Sequence, residues 1–293
     1  MMCKEMQDFK PFLHRRKQPP TILVSAAIPE EYRPLKTIFD TSRTILGNIP
    51  VYETYLTSHP KSSEENVCRH CVLVATGMGP NFWFRHGLRI LNHLRPDLLI
   101  SFGFCGELTA SHSDSGLYIP TIFRPPGYHS SSPLPVLSLT LPSSVIKTLA
   151  AYGGTVCQAI SVPVYVPKKF IATKDTAPSI LDMESYFTAL VASLFGLPFI
   201  CLRAKTDGPD DEIPFEVNRL IDSSGFVSIR RVLSYAFGDP GVIVSFFRYF
   251  RRSAKAAAVL KEAVLAVLRL PLADLTSIEP PRIMGDSDQL AKD

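Results

Sequence analysis

A chain of 293 residues with 46% hydrophobic and 20% charged residues can bury a substantial core, which excludes a disordered or low-complexity protein. Its net charge of +4 is too small to mark a nucleic-acid-binding surface, and its basic residues gather in "KPFLHRRK" near the N-terminus and "RYFRRSAK" near the C-terminus. No apolar run reaches the roughly 18 residues needed to span a bilayer, and the opening "MMCKEMQDFKPFLHRRKQPP" has no secretory apolar stretch. The six cysteines, at 3, 68, 71, 105, 157 and 201, are therefore expected as free thiols in a reducing cytosol.

Residues 1–19 read as a polar, proline-ended tail. "TILVSAA" (21–27) is apolar and rich in β-branched residues, the pattern of a buried strand. "PEEYRPLKTIF" follows as a short helix with Pro29 in its first turn. "VYETYLT" and "CVLVATG" read as strands joined by the polar loop "SHPKSSEEN". Cys68 and Cys71 form a C-x-x-C, but no second pair follows at zinc spacing, so they read as two thiols at the start of a strand and no metal site is expected. Residues 80–94 carry helical periodicity, and "PDLLISFGFCG" is a strand ending in glycines. "SGLYIPTIF" is a further strand, 124–142 a long Pro- and Ser-rich loop, "SSVIKTLAAYG" a helix and "TVCQAISVPVYV" strand-like. A helix over 184–196 is closed by Gly196, and 198–207 is a strand. After residue 215 the pattern changes: "VIVSFFRYFRRSAKAAAVLKEAVLAVLRL" reads as one or two helices, and 276–293 as a frayed tail.

Strands that are continuously apolar and alternate with helices argue for a parallel or mixed sheet with helices on both faces. In such folds ligands bind at the carboxyl ends of strands. Those ends hold Glu30 and Glu31 after the first strand, Gly77 and Gly79 in "ATGMG", Gly103 and Gly106 in "SFGFCGE", and Asp207 in "KTD", while Glu184 opens a helix beside Asp182 and Met183. Taken singly, each has a plainer reading. Glycine turns are common connectors, the acids complement helix dipoles, and "TDGPDD" is a good turn. Their joint placement favours a shared site.

In order and spacing, "ATGMGP" (75–80), "SFGFCGEL" (101–108), "DMES" (182–185) and "RAKTDGPDD" (203–211) make the chain resemble the purine nucleoside phosphorylase and nucleosidase superfamily over about 21–215, and "AAIPEE" resembles the first-strand motif of its methylthioadenosine/adenosylhomocysteine nucleosidase branch. The resemblance implies a single-domain three-layer α/β/α fold over 20–215, with a central mixed twisted sheet, followed by a helical extension over 216–275. It implies cleavage of the N-glycosidic bond of an adenine nucleoside without cofactor or metal, by a cytoplasmic homo-oligomer. Asp207 resembles the general acid that protonates the purine, and Thr206 stands beside it. Glu184 and Met183 resemble the pair that holds the ribose, and Glu31 the residue that orients the attacking water. Phe104, Cys105 and Gly106 fall on the loop near ribose and nucleophile, and Tyr165 and Val166 where the purine ring packs. For an acid role Asp207 is expected to be partly buried.

Two departures stand out. Ser101 and Phe104 occupy places where phosphorylases grip phosphate with arginine and serine, which favours water as nucleophile. Glu107 replaces the usual glycine. The C-terminal segment resembles that of the hopanoid-associated nucleoside phosphorylase group, which implies removal of adenine from adenosylhopane to leave ribosylhopane. The aromatic and basic cluster Val242, Ile243, Phe246, Phe247, Phe250, Arg248, Arg251 and Arg252 can lie on the inner, anionic face of a membrane, or pack on the domain. The rival readings are a small-molecule nucleosidase or phosphorylase for methylthioadenosine, adenosylhomocysteine or futalosine, and a non-catalytic nucleoside binder. No nucleic-acid-binding motif is present.

Overall fold

The computed structural model describes residues 19–39, 41–58, 67–109, 115–125, 134–171, 177–211 and 240–285, with 58, 67 and 240–250 described by backbone alone. In chain order these form β1 (Thr21–Ala26), α1 (Pro29–Lys36), β2 (Thr41–Ile45), β3 (Ile49–Ser58) and β4 (Val67–Ala75). A π-helical turn, Trp83–Gly87, then runs into α2 (Leu88–Leu94), followed by β5 (Leu98–Glu107), β6 (Leu117–Arg124), β7 (Leu137–Ser138), α3 (Ser143–Ala150) and β8 (Thr155–Ser161). A 3-10 turn at Lys168–Phe170 precedes β9 (Ser179–Asp182), α4 (Ser185–Leu194), β10 (Phe199–Asp207), α5 (Pro240–Leu268), α6 (Leu272–Thr276) and β11 (Arg282–Ile283).

The continuously apolar runs become the buried strands. Every residue of β1 is buried, and β1 lies parallel to β4 on one side and β5 on the other. β10 continues the parallel set beside β5. The carboxyl ends of β1, β4, β5 and β10 therefore share one edge, where the crevice of an open parallel sheet is expected. The sheet is mixed: β9 runs antiparallel to the end of β5, and β6 antiparallel to β10. With β6–β8 and β8–β9 parallel, strands β5, β10, β6, β8 and β9 close a ring, so the twist of the sheet carries one end round onto itself.

Four short or polar strands escape the sequence pattern. β2 is exposed except at Ile45 and forms a hairpin with β3, turning through Leu46 and Gly47 at positive φ. β7 lies inside the expected loop 124–142, where Val136, Leu137, Leu139 and Leu141 are buried. β9 is only four residues long. β11 lies in the stretch read as a frayed tail and pairs with β7, with Ile278 and Met284 buried beside it. The strand-like run from 155 stops at Ser161, leaving Tyr165 and Val166 in a loop.

α4 ends as read, on Gly196 at positive φ: the Leu197 N–H reaches Ala192 O and the Gly196 N–H reaches Ser193 O, a Schellman close. α5 buries Ser253, Ala256, Ala257, Leu260, Val264 and Val267 along one stripe. That stripe packs on β10 and β5 and meets α1 and α3, while α4 covers the same strands and β8. The end of α5 is tied down by Arg69 of β4, whose buried guanidinium donates to Leu268 O and Leu270 O at 2.5 Å each, a cation at a helix C-terminus. The side chains of Val242, Ile243, Phe246, Phe247, Arg248 and Phe250 lie outside the described residues, as do 1–18 and 212–239. Among the described residues no helix is long and apolar enough to cross a membrane.

Candidate active site

Glu31 is the third residue of α1, and its side chain turns back over the helix start. One carboxylate oxygen accepts the N–H groups of Ala27 (2.7 Å) and Ile28 (3.1 Å), and the other that of Phe104 on β5 (2.8 Å). Gly103 makes this possible, since a Cβ there would stand 2.9 Å from the carboxylate. Burial raises the Glu31 carboxyl to about 7, against the pull of the Phe104, Ile28 and Ala27 N–H groups and Arg203.

Glu184 is the N-cap residue of α4, but its side chain does not cap. It reaches across to accept the Gly79 N–H at 2.8 Å. Gly79, at φ +79°, leaves no room for a side chain: a Cβ would meet Pro163 O at 2.9 Å. Burial pushes the Glu184 carboxyl up, reinforced by the negative charges of Asp182 and Glu31 and opposed by Arg203.

Asp182, at the end of β9, braces this part of the site. It accepts from Arg203 Nε (2.6 Å), Ser161 Oγ (2.5 Å), the Ser185 N–H (3.0 Å) and the Ser185 hydroxyl. The Arg203 guanidinium, also fully buried, donates onward to Ser101 Oγ at 3.1 Å. A buried pair with this many hydrogen bonds satisfies both charges. Asp182 and Arg203 thus form the scaffold on which Glu184 and α4 start.

Asp207 closes β10. The register with β5 slips between Lys205 and Asp207. This irregularity separates two side chains that a regular strand would put on one face: Lys205 turns to Glu107 at 3.0 Å, and Asp207 enters the cleft. Asp207 is 6% exposed, accepts from Thr206 Oγ1 at 2.7 Å, and forms an ion pair with Lys168, whose ammonium also donates to Gly208 O. Gly106 lies against the pair, since a Cβ would come within 2.6 Å of Asp207 Oδ2 and 2.7 Å of Lys168 Cε.

These groups line one solvent-open cleft. Its walls bring together Glu31, Phe104, Cys105, Gly106, Tyr165, Met183, Glu184, Thr206 and Asp207. Gly77 and Gly79 do not line it; Gly79 acts through Glu184. Val166 packs in a small cluster with Ile160, Val162 and Leu181. Phe104, Cys105 and Gly106, assigned to a loop, lie on β5 itself, because β10 and β9 continue to pair with it as far as Glu107. Burial raises the Cys105 thiol well above its ordinary range. Glu107 is buried, bound by the Tyr118 hydroxyl and Lys205. Sequence reading missed Lys168, which has no motif; "VPKKF" looks like any basic loop.

Chemically, the cleft holds two buried carboxyls with raised proton affinity at one end and a carboxylate–ammonium pair at the other, beside an aromatic ring. No described group of acids, cysteines or histidines is arranged to hold a metal ion.

A family model described as the phosphorylase superfamily matches residues 21–223. No curated protein matches the sequence. Among solved structures, the S-adenosylhomocysteine nucleosidase of Streptococcus pyogenes, in complex with 5-methylthiotubericidin, superposes with a TM-score of 0.59 at 16% identity, covering 87% of this chain and 99% of that one. The methylthioadenosine/S-adenosylhomocysteine nucleosidase of Neisseria meningitidis gives 0.55 at 16% identity, covering 85% and 98%. Native futalosine hydrolase of Helicobacter pylori gives 0.56 at 15% identity, covering 84% and 97%.

Proposed function

Because the chain belongs to the phosphorylase superfamily, we propose that it cleaves the N-glycosidic bond of an adenine nucleoside by attack of water at the ribose anomeric carbon. One observation carries the reading: Glu31, Glu184 and Asp207, from three separate elements, converge on one cleft with Tyr165. Cleavage builds positive charge on the ribose and negative charge on the purine. Glu184, beside Met183, accepts from the ribose hydroxyls and faces the developing cation. Glu31, raised to about 7, receives the proton of the attacking water, a value suited to a base working near neutrality. Asp207 meets the purine. A phenylalanine at 104 and a serine engaged with Arg203 at 101 offer no cationic grip on phosphate, which supports hydrolysis over phosphorolysis.

The substrate we assign is adenosylhopane, giving ribosylhopane and adenine in the synthesis of hopanoid side chains. The resemblance of the C-terminal segment supports it, and so does the loop that brings Tyr165 and Lys168 to the cleft, which also exposes Val164 (54%) and Phe170 (69%), apolar surface suited to a lipid-tailed substrate. A cytoplasmic enzyme in peripheral contact with the membrane fits such a substrate, and the exposed Phe84, Leu88 and Leu194 suit a homo-oligomer. The test is adenine release from adenosylhopane and from methylthioadenosine, side by side, with and without phosphate. Faster, phosphate-independent release from adenosylhopane is expected. Release mainly from methylthioadenosine would keep the chemistry and overturn the substrate; release from neither would overturn the function.

A further inference from the structure

Lys205 and Asp207 stand two positions apart on β10, the spacing that puts two side chains on one face of a strand. Here they part. Lys205 pairs with Cys105 and Asp207 with the very next residue of β5, Gly106, so Thr206 is an extra residue between them. Such a bulge re-aims a side chain at the cost of a disrupted ladder, so it needs other contacts to hold it. Two of them fall on Lys205, the last residue before the slip. Its backbone N–H donates to Gly116 O at 2.8 Å, and its Nζ donates to Glu107 Oε2 at 3.0 Å. Gly116, at φ +70°, lets the chain come in so close that a Cβ there would stand 3.3 Å from Lys205 Cβ. Glu107 ends β5 and is 3% exposed, and its other carboxylate oxygen accepts from the hydroxyl of the buried Tyr118 on β6. Strands β5, β6 and β10 thus meet on one carboxylate. Burying it is costly, and it lies outside the cleft walls, so the reaction proposed above gives it no task.

We propose that Glu107 and Lys205 are positioning residues: by drawing the Lys205 side chain to Glu107 and Tyr118, they hold the bulge that turns Asp207 into the cleft. The proposal deepens the N-glycosidase reading, in which Asp207 meets the purine, and rests on it. Neither residue lines the cleft, so both act only through where Asp207 stands. On the cleft side the bulged residue is fastened as well, since Thr206 Oγ1 bonds Cys105 O at 3.3 Å and Asp207 Oδ1 at 2.7 Å. With Lys205 released, nothing opposes a return to regular pairing, in which Asp207 follows Lys205 onto the same face. A reacting group displaced by about 1 Å can lose on the order of 10²-fold in rate.

The test separates position from stability, in the full chain, on the adenine nucleoside it cleaves best. Lys205→Met leaves Glu107 a buried acceptor without one of its donors, so both melting temperature and kcat should fall. Adding Glu107→Gln, which still accepts from the Tyr118 hydroxyl, removes both halves of the tie and should bring the melting temperature back near that of the wild type. In this double variant kcat should nevertheless stay about 10–10²-fold down, with KM little changed. A tie that serves stability alone would let kcat recover along with the melting temperature; that result, or a wild-type kcat in Lys205→Met, would overturn the proposal. A crystal structure of the double variant gives a reading that needs no substrate. Asp207 withdrawn from the cleft and paired in regular register would support the proposal, and an unchanged bulge would refute it. If the wild type cleaves no nucleoside and the double variant loses the bulge, the N-glycosidase reading fails while the positioning stands.

Discussion

The two ends of the cleft hold their acids in opposite ways. At one end Glu31 and Glu184 are buried, accept backbone N–H groups and, among the described residues, form no ion pair; the Arg203 guanidinium that influences both is bound to Asp182. Burial makes both reluctant to ionise. At the other end Asp207 is equally buried but sits against the Lys168 ammonium. The first arrangement suits groups that take up a proton, and the second holds its carboxylate against a cation. One fold edge thus places carboxylates in two different environments, one without and one with a cation beside it.

The largest effect is expected where the contrast is removed outright. Asp207→Asn, which breaks the ion pair, should lower turnover by at least about 10³-fold while nucleoside binding largely persists; a variant that turns over normally would remove Asp207 from the chemistry. Glu31→Gln should cost about 10²-fold in kcat/KM. In the wild type the rate should rise with pH through about 7 as Glu31 ionises, and this acid limb should vanish in the variant.

The same residue links the contrast to stability. Its folded value, about 7, lies above the ordinary 4.5, so the folded state holds the proton more tightly. The stability contributed is fully present below about pH 4.5 and is lost as pH rises through about 7. Urea melts at pH 5 and pH 8 should therefore show a decline that Glu31→Gln flattens by up to about 3 kcal/mol; an identical slope would contradict the burial argument.

Glu184→Gln should weaken kcat/KM by about 10–30-fold through lost charge-assisted contacts to the ribose, and an unchanged affinity for nucleoside would argue against ribose contact. Gly106→Ala is the mildest probe. Its Cβ must push Lys168 from Asp207, and because the lysine is flexible the expected loss is about tenfold in rate with little change in melting temperature.

What the sequence revealed follows from where the information lies. β1, β5 and β10 were legible because strands covered on both faces are continuously apolar, and the strand-end position of Glu31 and Asp207 follows from their parallel order. β2 is polar on an exposed edge, and β7, β9 and β11 are two to four residues long and owe their existence to partners far along the chain. Lys168 was invisible for the same reason. Its place beside Asp207 depends on a loop crossing a missing side chain at Gly106 and a register slip before Asp207, and neither leaves a spacing in the sequence. Glu107, which could have faced solvent, is instead fixed by Tyr118 and Lys205.

The most direct measurement is to incubate the chain with adenosylhopane in ¹⁸O-labelled water without phosphate and weigh the products. Free adenine together with ribosylhopane carrying one ¹⁸O at the anomeric position is the expected result. No adenine, or a ribose product that forms only when phosphate is added and carries no label, would contradict hydrolysis at this cleft.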